Sequence, residues 1–251
     1  MKTLSKLITY LRFDPVTVLQ KVGITSDSSK AASFFLRLRV DRLFRDSGLE
    51  GLFKQCGDLK QNKQYQLFLS GHKKADIVNI YEAAKLARVV VEFGCGVSTL
   101  AIAHALKQKG SGVVYAVEAD VKWASLVREA AARLSLSEHC VVFDSTPVLT
   151  LRDFQVVSFF SKLPDVRPDL IYLDGPSSAQ VNGNSHGLTM SGLEFIVAAD
   201  PLLYEWSFYA GAKIIVDGRI NNVRFLERNL RRKYRVSRNY LMNTTTFSLV
   251  R

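Results

Sequence analysis

The sequence predicts a doubly wound α/β domain with a seven-stranded sheet, closed by a terminal antiparallel hairpin and preceded by a helical N-terminal cap. Three observations carry this. From residue 88 onward, short β-branched runs alternate with helical patterns. Val89-Val90-Val91 and Ile214-Ile215-Val216 are apolar without alternation, as strands covered on both faces are. The last two β-rich segments flank Met242-Asn243, too close together for a parallel crossover, so they pair antiparallel.

Residues 1–75 read as helical and irregular and are expected to form the cap. Leu4, Leu7, Ile8 and Leu11 recur at helical spacing, Phe34, Phe35, Leu38 and Leu43 less regularly, with a loop or N-cap signal at 26–29. The main domain is expected over 76–251, opening with a helix over 76–87. A strand follows over 88–93, then a helix over 100–109 that Gly110 ends. Next come a strand over 113–118, a helix over 121–134 and a strand over 140–144. A helix is expected over 151–162, a strand over 170–174, and a Gly/Ser/Asn-rich loop to about residue 189. Residues 191–206 read as mostly helical with a break at Pro201. A strand over 213–217, a helix over 223–233 and two strands over 234–240 and 244–250 complete five βα units and a hairpin.

The bulk composition bounds the class. With 251 residues, 47% hydrophobic and 23% charged, the chain can bury a full core, which excludes disordered and fibrous classes. Cys56, Cys95 and Cys140 show neither a CxxC pair nor zinc spacing. Lys6, Arg12, Asp14 and Pro15 interrupt any apolar leader, and no stretch approaches the ~20 apolar residues of a membrane span. A cytoplasmic, non-secreted protein is expected. The net charge of +11 is uneven: residues 1–75 carry 14 Lys/Arg against six Asp/Glu, residues 219–238 eight against one, and the remainder 12 against 16. The basic flanks would concentrate an anionic partner, whether nucleic acid, acidic or nucleotide-linked glycan, phosphorylated substrate or membrane surface; otherwise they are a solvated face.

The most informative stretch is Val89-Val90-Val91-Glu92-Phe93-Gly94-Cys95-Gly96-Val97-Ser98-Thr99. A buried strand runs into a Gly-x-Gly turn and then a helix, whose first N–H groups are open to a ligand and which Ser98 or Thr99 can cap. A dinucleotide fingerprint would need a third glycine where Thr99 stands. Glu92, Gly94 and Gly96 instead resemble the first motif of the class I, Rossmann-like S-adenosylmethionine (SAM)-dependent methyltransferases. The resemblance covers about residues 80–251. It implies that Gly94, Cys95, Gly96, Ser98 and Thr99 cradle the methionine part of SAM, with Glu92 near its ammonium end. It implies that Glu118, 22 residues after Gly96, holds the ribose hydroxyls, that Asp144 meets the adenine amino group, and that Asp174 faces cofactor and substrate.

Methyl transfer to a hydroxyl needs the acceptor held in line and its proton removed. The candidates lie on the loops after the fourth and fifth strands. Asp174-Gly175-Pro176 and Asp217-Gly218-Arg219 are parallel in form, a carboxylate and then glycine. Their acids are similarly placed to those of metal-dependent O-methyltransferases, which often follow the second acid with Asp or Asn; here that position is Gly218, with Asn221 or Asn222 as substitutes. A divalent metal on Asp174 and Asp217 is possible but not expected; the plainer reading is that Asp217 caps a helix. His186, in the loop 175–190, is a second candidate base, against the reading that it is a surface residue. His72 has a weaker claim to the cofactor mouth. The absence of an Asn/Asp-Pro-Pro-aromatic motif and of Pro-Cys favours a hydroxyl acceptor. With Phe225-Leu226, the two loops also resemble bacterial surface-glycan methyltransferases. That implies a sugar acceptor, nucleotide- or lipid-linked, with the basic residues 228–233 serving an anionic carrier. The alternatives are an RNA methyltransferase, an aminopropyl transferase of the same fold, and a non-enzymatic scaffold.

Overall fold

The computed structural model describes residues 38–57, 74–190, 196–239 and 243–250. The chain divides into two compact units, Met1–Gly51 and Leu52–Arg251. The first is described over 38–51, helical over 38–46; helix α1 (Leu49–Gly57) spans the division. The helical spacing at residues 4–11, the loop at 26–29, Phe34 and Phe35, and His72 lie outside the described residues.

The second unit carries the sheet. Its elements are α2 (Lys74–Ala84), β1 (Val89–Phe93), α3 (Val97–Lys109), β2 (Val113–Glu118), α4 (Val121–Arg133), β3 (Cys140–Asp144), β4 (Pro147–Arg152), β5 (Gln155–Phe160), β6 (Leu170–Leu173), α5 (Pro201–Tyr204), β7 (Lys213–Asp217), α6 (Ile220–Asn229), β8 (Tyr234–Asn239) and β9 (Thr244–Leu249). The main sheet has seven strands in the order β3-β2-β1-β6-β7-β9-β8. Strands β3, β2, β1, β6 and β7 are parallel, and β9 and β8 return antiparallel. The order reverses between β1 and β6, so the carboxyl ends of these strands flank the crevice where such sheets bind ligands.

Side chains alternate between the two faces of the sheet. Val91, Phe93, Ile171, Leu173, Ile214 and Val216 enter one core with Val223, Phe225 and Leu226 of α6. The other face, with Val90 and Glu92 fully buried, is the one on which Glu92 meets the start of α3. At the amino end of β1, the Asp169 carboxylate accepts N–H groups from Arg88 and Val89 at 2.8–3.1 Å. Gly110 ends α3 with φ +78, as its position after the last helical residue requires.

Two sequence expectations are corrected. Residues 151–162 are not a helix: β4 and β5 form a hairpin of their own, with Arg152 opposite Gln155 across a two-residue turn. Val156, Val157, Phe159 and Phe160 are β-formers, and Asp153-Phe154 closes the turn. Residues 196–200 are not helical either. Ser158 exchanges backbone hydrogen bonds with Val197 and Ala199 at 2.8 and 3.0 Å, holding this segment extended along β5; helix begins only at Pro201, and 191–195 lie outside the described residues. The βα count is thus lower than five, although all seven strands of the main sheet are where the pattern puts them. Helix α6 also starts and ends earlier than expected. Buried Glu205 captures the backbone N–H groups of Arg231 and Arg232 at 2.7–3.0 Å and pulls the chain out of the helix.

Asp200, fully buried before α5, gives the fold a pH signature. Its Oδ1 accepts the Phe160 N–H at 2.8 Å, while Oδ2 has no partner among the described residues. Burial pushes its carboxyl up to about 7 from 3.8. The unfolded chain releases this proton near pH 4 and the native chain near pH 7, so stability falls as pH rises through that window. Calorimetry is expected to show a lower melting temperature at pH 8 than at pH 5, with Asp200→Asn flattening the fall. An unchanged fall in this variant would remove Asp200 as its source.

Candidate cofactor and acceptor site

The site is built on two turns that touch backbone to backbone. Gly94, after β1, has φ +88, and a Cβ there would lie 2.9 Å from the nitrogen and 3.0 Å from the Cα of Gly175. A Cβ on Gly175, after β6, would lie 2.8 Å from the Gly94 Cα. The Phe93 carbonyl accepts the N–H groups of both Asp174 and Gly175, at 3.0 and 2.5 Å. Only glycine permits this approach at either position. Gly175 is the partner that motif reading missed, because a single glycine after an aspartate does not reveal which distant turn it meets.

Glu92 is fully buried. The Ser98 hydroxyl donates to one carboxylate oxygen at 2.5 Å and the Thr99 hydroxyl to the other at 2.6 Å. Thr99 Oγ1 in turn accepts the Gly96 N–H at 2.8 Å. Glu92 therefore clamps the first turn of α3 onto β1. Burial pushes its carboxyl up to about 8; the two hydroxyls oppose this, and the negative charges of Asp174 and Glu118 add to it.

Glu118 ends β2 and is nearly as buried. It accepts the N–H of Cys95 at 2.9 Å, those of Ala119 and Asp120 at 2.8 and 2.9 Å, and the Gln180 amide at 3.0 Å. The Trp123 indole N–H donates to the Cys95 carbonyl at 2.7 Å. The peptide units on either side of Cys95 are thus held from both ends, and burial keeps its thiol protonated. Trp123 and Gln180 had no sequence signal beyond lying shortly after strand-ending acids. Gln180 also accepts from the Ser177 N–H and hydroxyl, which latches the loop after β6 onto Glu118.

Asp144 stands opposite Glu118 in the β2–β3 register. It is exposed, and Arg128 donates to it at 2.7 Å. Asp174 and Asp217 follow Leu173 and Val216, which are paired across β6 and β7, so the two acids leave adjacent strand ends. Arg219 lies close to both. Its guanidinium donates to the carbonyls of Pro176, at 2.9 Å, and Asp174. Burial lowers its pKa, against the attraction of Asp174 and Asp217. Asn222 is buried and committed to the Ala198 carbonyl at 2.7 Å. His186 is at the exposed tip of a tight turn closed by mutual backbone bonds between Ser185 and Leu188, with φ +52. Beside Asp217 an open cavity of about 110 Å³ is lined by Arg219, Val223, Arg238, Asn243, Thr244 and Thr245. Among the described residues no three His, Cys, Asp or Glu side chains converge into one group.

The reversal of strand order at a glycine turn, with acids at successive strand ends, defines a Rossmann-like, doubly wound domain with its ligand crevice at that turn. Comparison agrees: residues 91–187 match the family described as a methyltransferase domain. The fold is shared with a methyltransferase from Podospora anserina solved with S-adenosylhomocysteine (12% identity, 84% of this chain and 94% of that one, TM-score 0.52). It is shared too with a Staphylococcus aureus protein assigned as a caffeoyl-CoA O-methyltransferase (10% identity, 85% and 100%, TM-score 0.50). An O-methyltransferase from Bacillus cereus, also in complex with S-adenosylhomocysteine, aligns over 94% of this chain and 96% of its own at 13% identity and a TM-score of 0.45. No curated protein matches the sequence. Residues 91–187 thus match a methyltransferase domain, carried on a Rossmann-like fold that methyltransferases of known structure share.

Proposed function

We propose that the chain is an O-methyltransferase. SAM is held over the carboxyl ends of β1, β2 and β3, and a sugar or glycan-type hydroxyl over those of β6 and β7. The catalytic domain is residues 76–251, with 1–75 as a helical cap. The observation that carries this is the convergence of two carboxylate-bearing strand ends on one glycine turn: Glu118 accepts the Cys95 N–H at 2.9 Å, and Asp174 precedes Gly175, whose backbone packs on Gly94. Such a negative well suits a sulfonium and an ammonium group and repels the pyrophosphate of a dinucleotide. Bound SAM would supply the electrophilic methyl group. Gly94, Cys95, Gly96, Ser98 and Thr99 shape its methionine end, Glu118 accepts from the ribose, and Asp144 faces the adenine.

On the acceptor side, Asp174 takes the hydroxyl proton and Asp217 orients the acceptor, with Arg219 limiting their mutual repulsion. His186, on the same loop as Asp174, is the second candidate base. The amide and hydroxyl groups lining the cavity beside Asp217 suit a polyhydroxyl acceptor, and Arg219 and Arg238 suit one with an anionic nucleotide or lipid carrier. The three cysteines are free thiols, which suits a cytoplasmic setting. No helix among the described residues is long and apolar enough to cross a membrane. One observation favours a second reading, RNA methylation: Arg224, Arg228, Arg231, Lys233 and Arg235 are all exposed. The half-buried Arg219 beside the two acids disfavours a polyamine and hence aminopropyl transfer.

The test is isothermal titration with S-adenosylhomocysteine and then NAD, followed by an acceptor screen over sugars and RNA, with and without magnesium. Binding of the first ligand alone is expected; binding of NAD, or of neither, overturns the cofactor reading. Asp174→Asn and Asp217→Asn are each expected to lower turnover by roughly a hundredfold or more with little change in S-adenosylhomocysteine affinity. Unchanged turnover in both would transfer the base role to His186, which His186→Ala then checks.

A further inference from the structure

We propose that the tip of the β4–β5 hairpin and the basic run from α6 into β8 form one surface that docks on an anionic lipid bilayer. The two residues that close the hairpin, Asp153 and Phe154, both have positive φ, +46 and +60. Two-residue turns of this kind favour Asn-Gly, and a bulky side chain is strained there. Phe154 is nonetheless present and 97% exposed. Neither the turn nor the core calls for the ring, so its use lies outside the molecule. Leu151 of the same hairpin is also exposed, at 39%.

The tip is tied to the basic run. Gln155, next to Phe154, donates to the Asn229 side chain at 3.2 Å, in the last turn of α6. Around that point Arg228, Arg231, Lys233 and Arg235 are exposed. Arg232 is the exception, turned inward to the carbonyls of Glu205 and Phe208. The one carboxylate between residues 219 and 238, Glu227, is paired with Arg238 at 2.6 Å. An aromatic wedge with an aliphatic neighbour in a field of cations is the chemistry of binding at an anionic membrane interface. RNA phosphates would use the same cations but would leave Phe154 and Leu151 without an apolar partner. This inference does not rest on the identity of the acceptor.

The test is flotation of the full chain with vesicles of phosphatidylcholine alone and of phosphatidylcholine with phosphatidylglycerol, at low and high salt. Binding to the anionic vesicles only, weakened by salt, is expected. Replacing Arg228, Arg231 and Lys233 together by Gln should weaken binding roughly a hundredfold. Phe154→Gly should weaken it roughly tenfold. Because glycine suits the positive φ, that variant should melt no lower than wild type, which separates loss of docking from loss of folding. S-adenosylhomocysteine affinity should not change in either variant. Absence of anionic vesicle binding, binding that ignores Phe154, or binding to an RNA oligonucleotide without binding to vesicles would each overturn the proposal.

Discussion

Gly94→Ala is expected to abolish S-adenosylhomocysteine binding and to destabilise the domain by about 3 kcal/mol, from roughly 1–2 kcal/mol for the left-handed backbone and 1–3 kcal/mol for the overpacking. The added methyl group meets the Gly175 backbone at 2.9 Å, and backbone cannot move aside as the end of a flexible side chain can. Relief would require the turns after β1 and β6 to part, carrying Asp174 away from Glu92 and Glu118. The melting temperature should fall by roughly 10 °C, read by calorimetry alongside titration. Gly175→Ala should behave alike, because the same two backbones collide. A Gly94→Ala protein that binds S-adenosylhomocysteine at wild-type affinity would show that the turn is not the cofactor site.

Glu118→Ala should have the second-largest effect. It strips the acceptor from three backbone N–H groups, those of Cys95, Ala119 and Asp120. Unsatisfied buried donors cost roughly 1–3 kcal/mol each, so a loss of about 3 kcal/mol is expected, with cofactor affinity falling by more than a hundredfold. Glu118→Gln separates the two roles. Its amide oxygen can still accept from Ala119 and Asp120, while its NH2 faces the Cys95 N–H, so it should lose less stability than Glu118→Ala, about 1–2 kcal/mol. It lacks the charge that a ribose diol and a nearby cation favour, so titration should read a tenfold to hundredfold weaker Kd. Equal affinity in wild type and Glu118→Gln would remove the carboxylate from cofactor recognition and leave it as a brace for the Cys95 turn.

The hairpin over 147–160 was illegible in the sequence because a short apolar run of this length fits either secondary structure. Only the pairing of Arg152 with Gln155 and the docking of 197–199 along β5 settle it. Glu92 was legible as an acid before a glycine turn, but not as the clamp that holds Ser98 and Thr99. Its burial on the sheet face that meets α3 depends on which strands flank β1.

By itself, the sequence determined the elements whose signals are local. Continuous apolar runs marked the parallel strands, the short gap between the last two marked the hairpin, and acids at strand ends marked Glu118, Asp144, Asp174 and Asp217. These follow from period, residue type and spacing along the chain. The tertiary structure alone decided what meets across the chain: Gly94 against Gly175, Gln180 and the Cys95 N–H on Glu118, Trp123 on the Cys95 carbonyl, and Arg219 beside the two acids. Such contacts join residues tens of positions apart, and their energies depend on distances of a few ångströms and on exclusion of water. Neither quantity exists until the sheet brings its strand ends together.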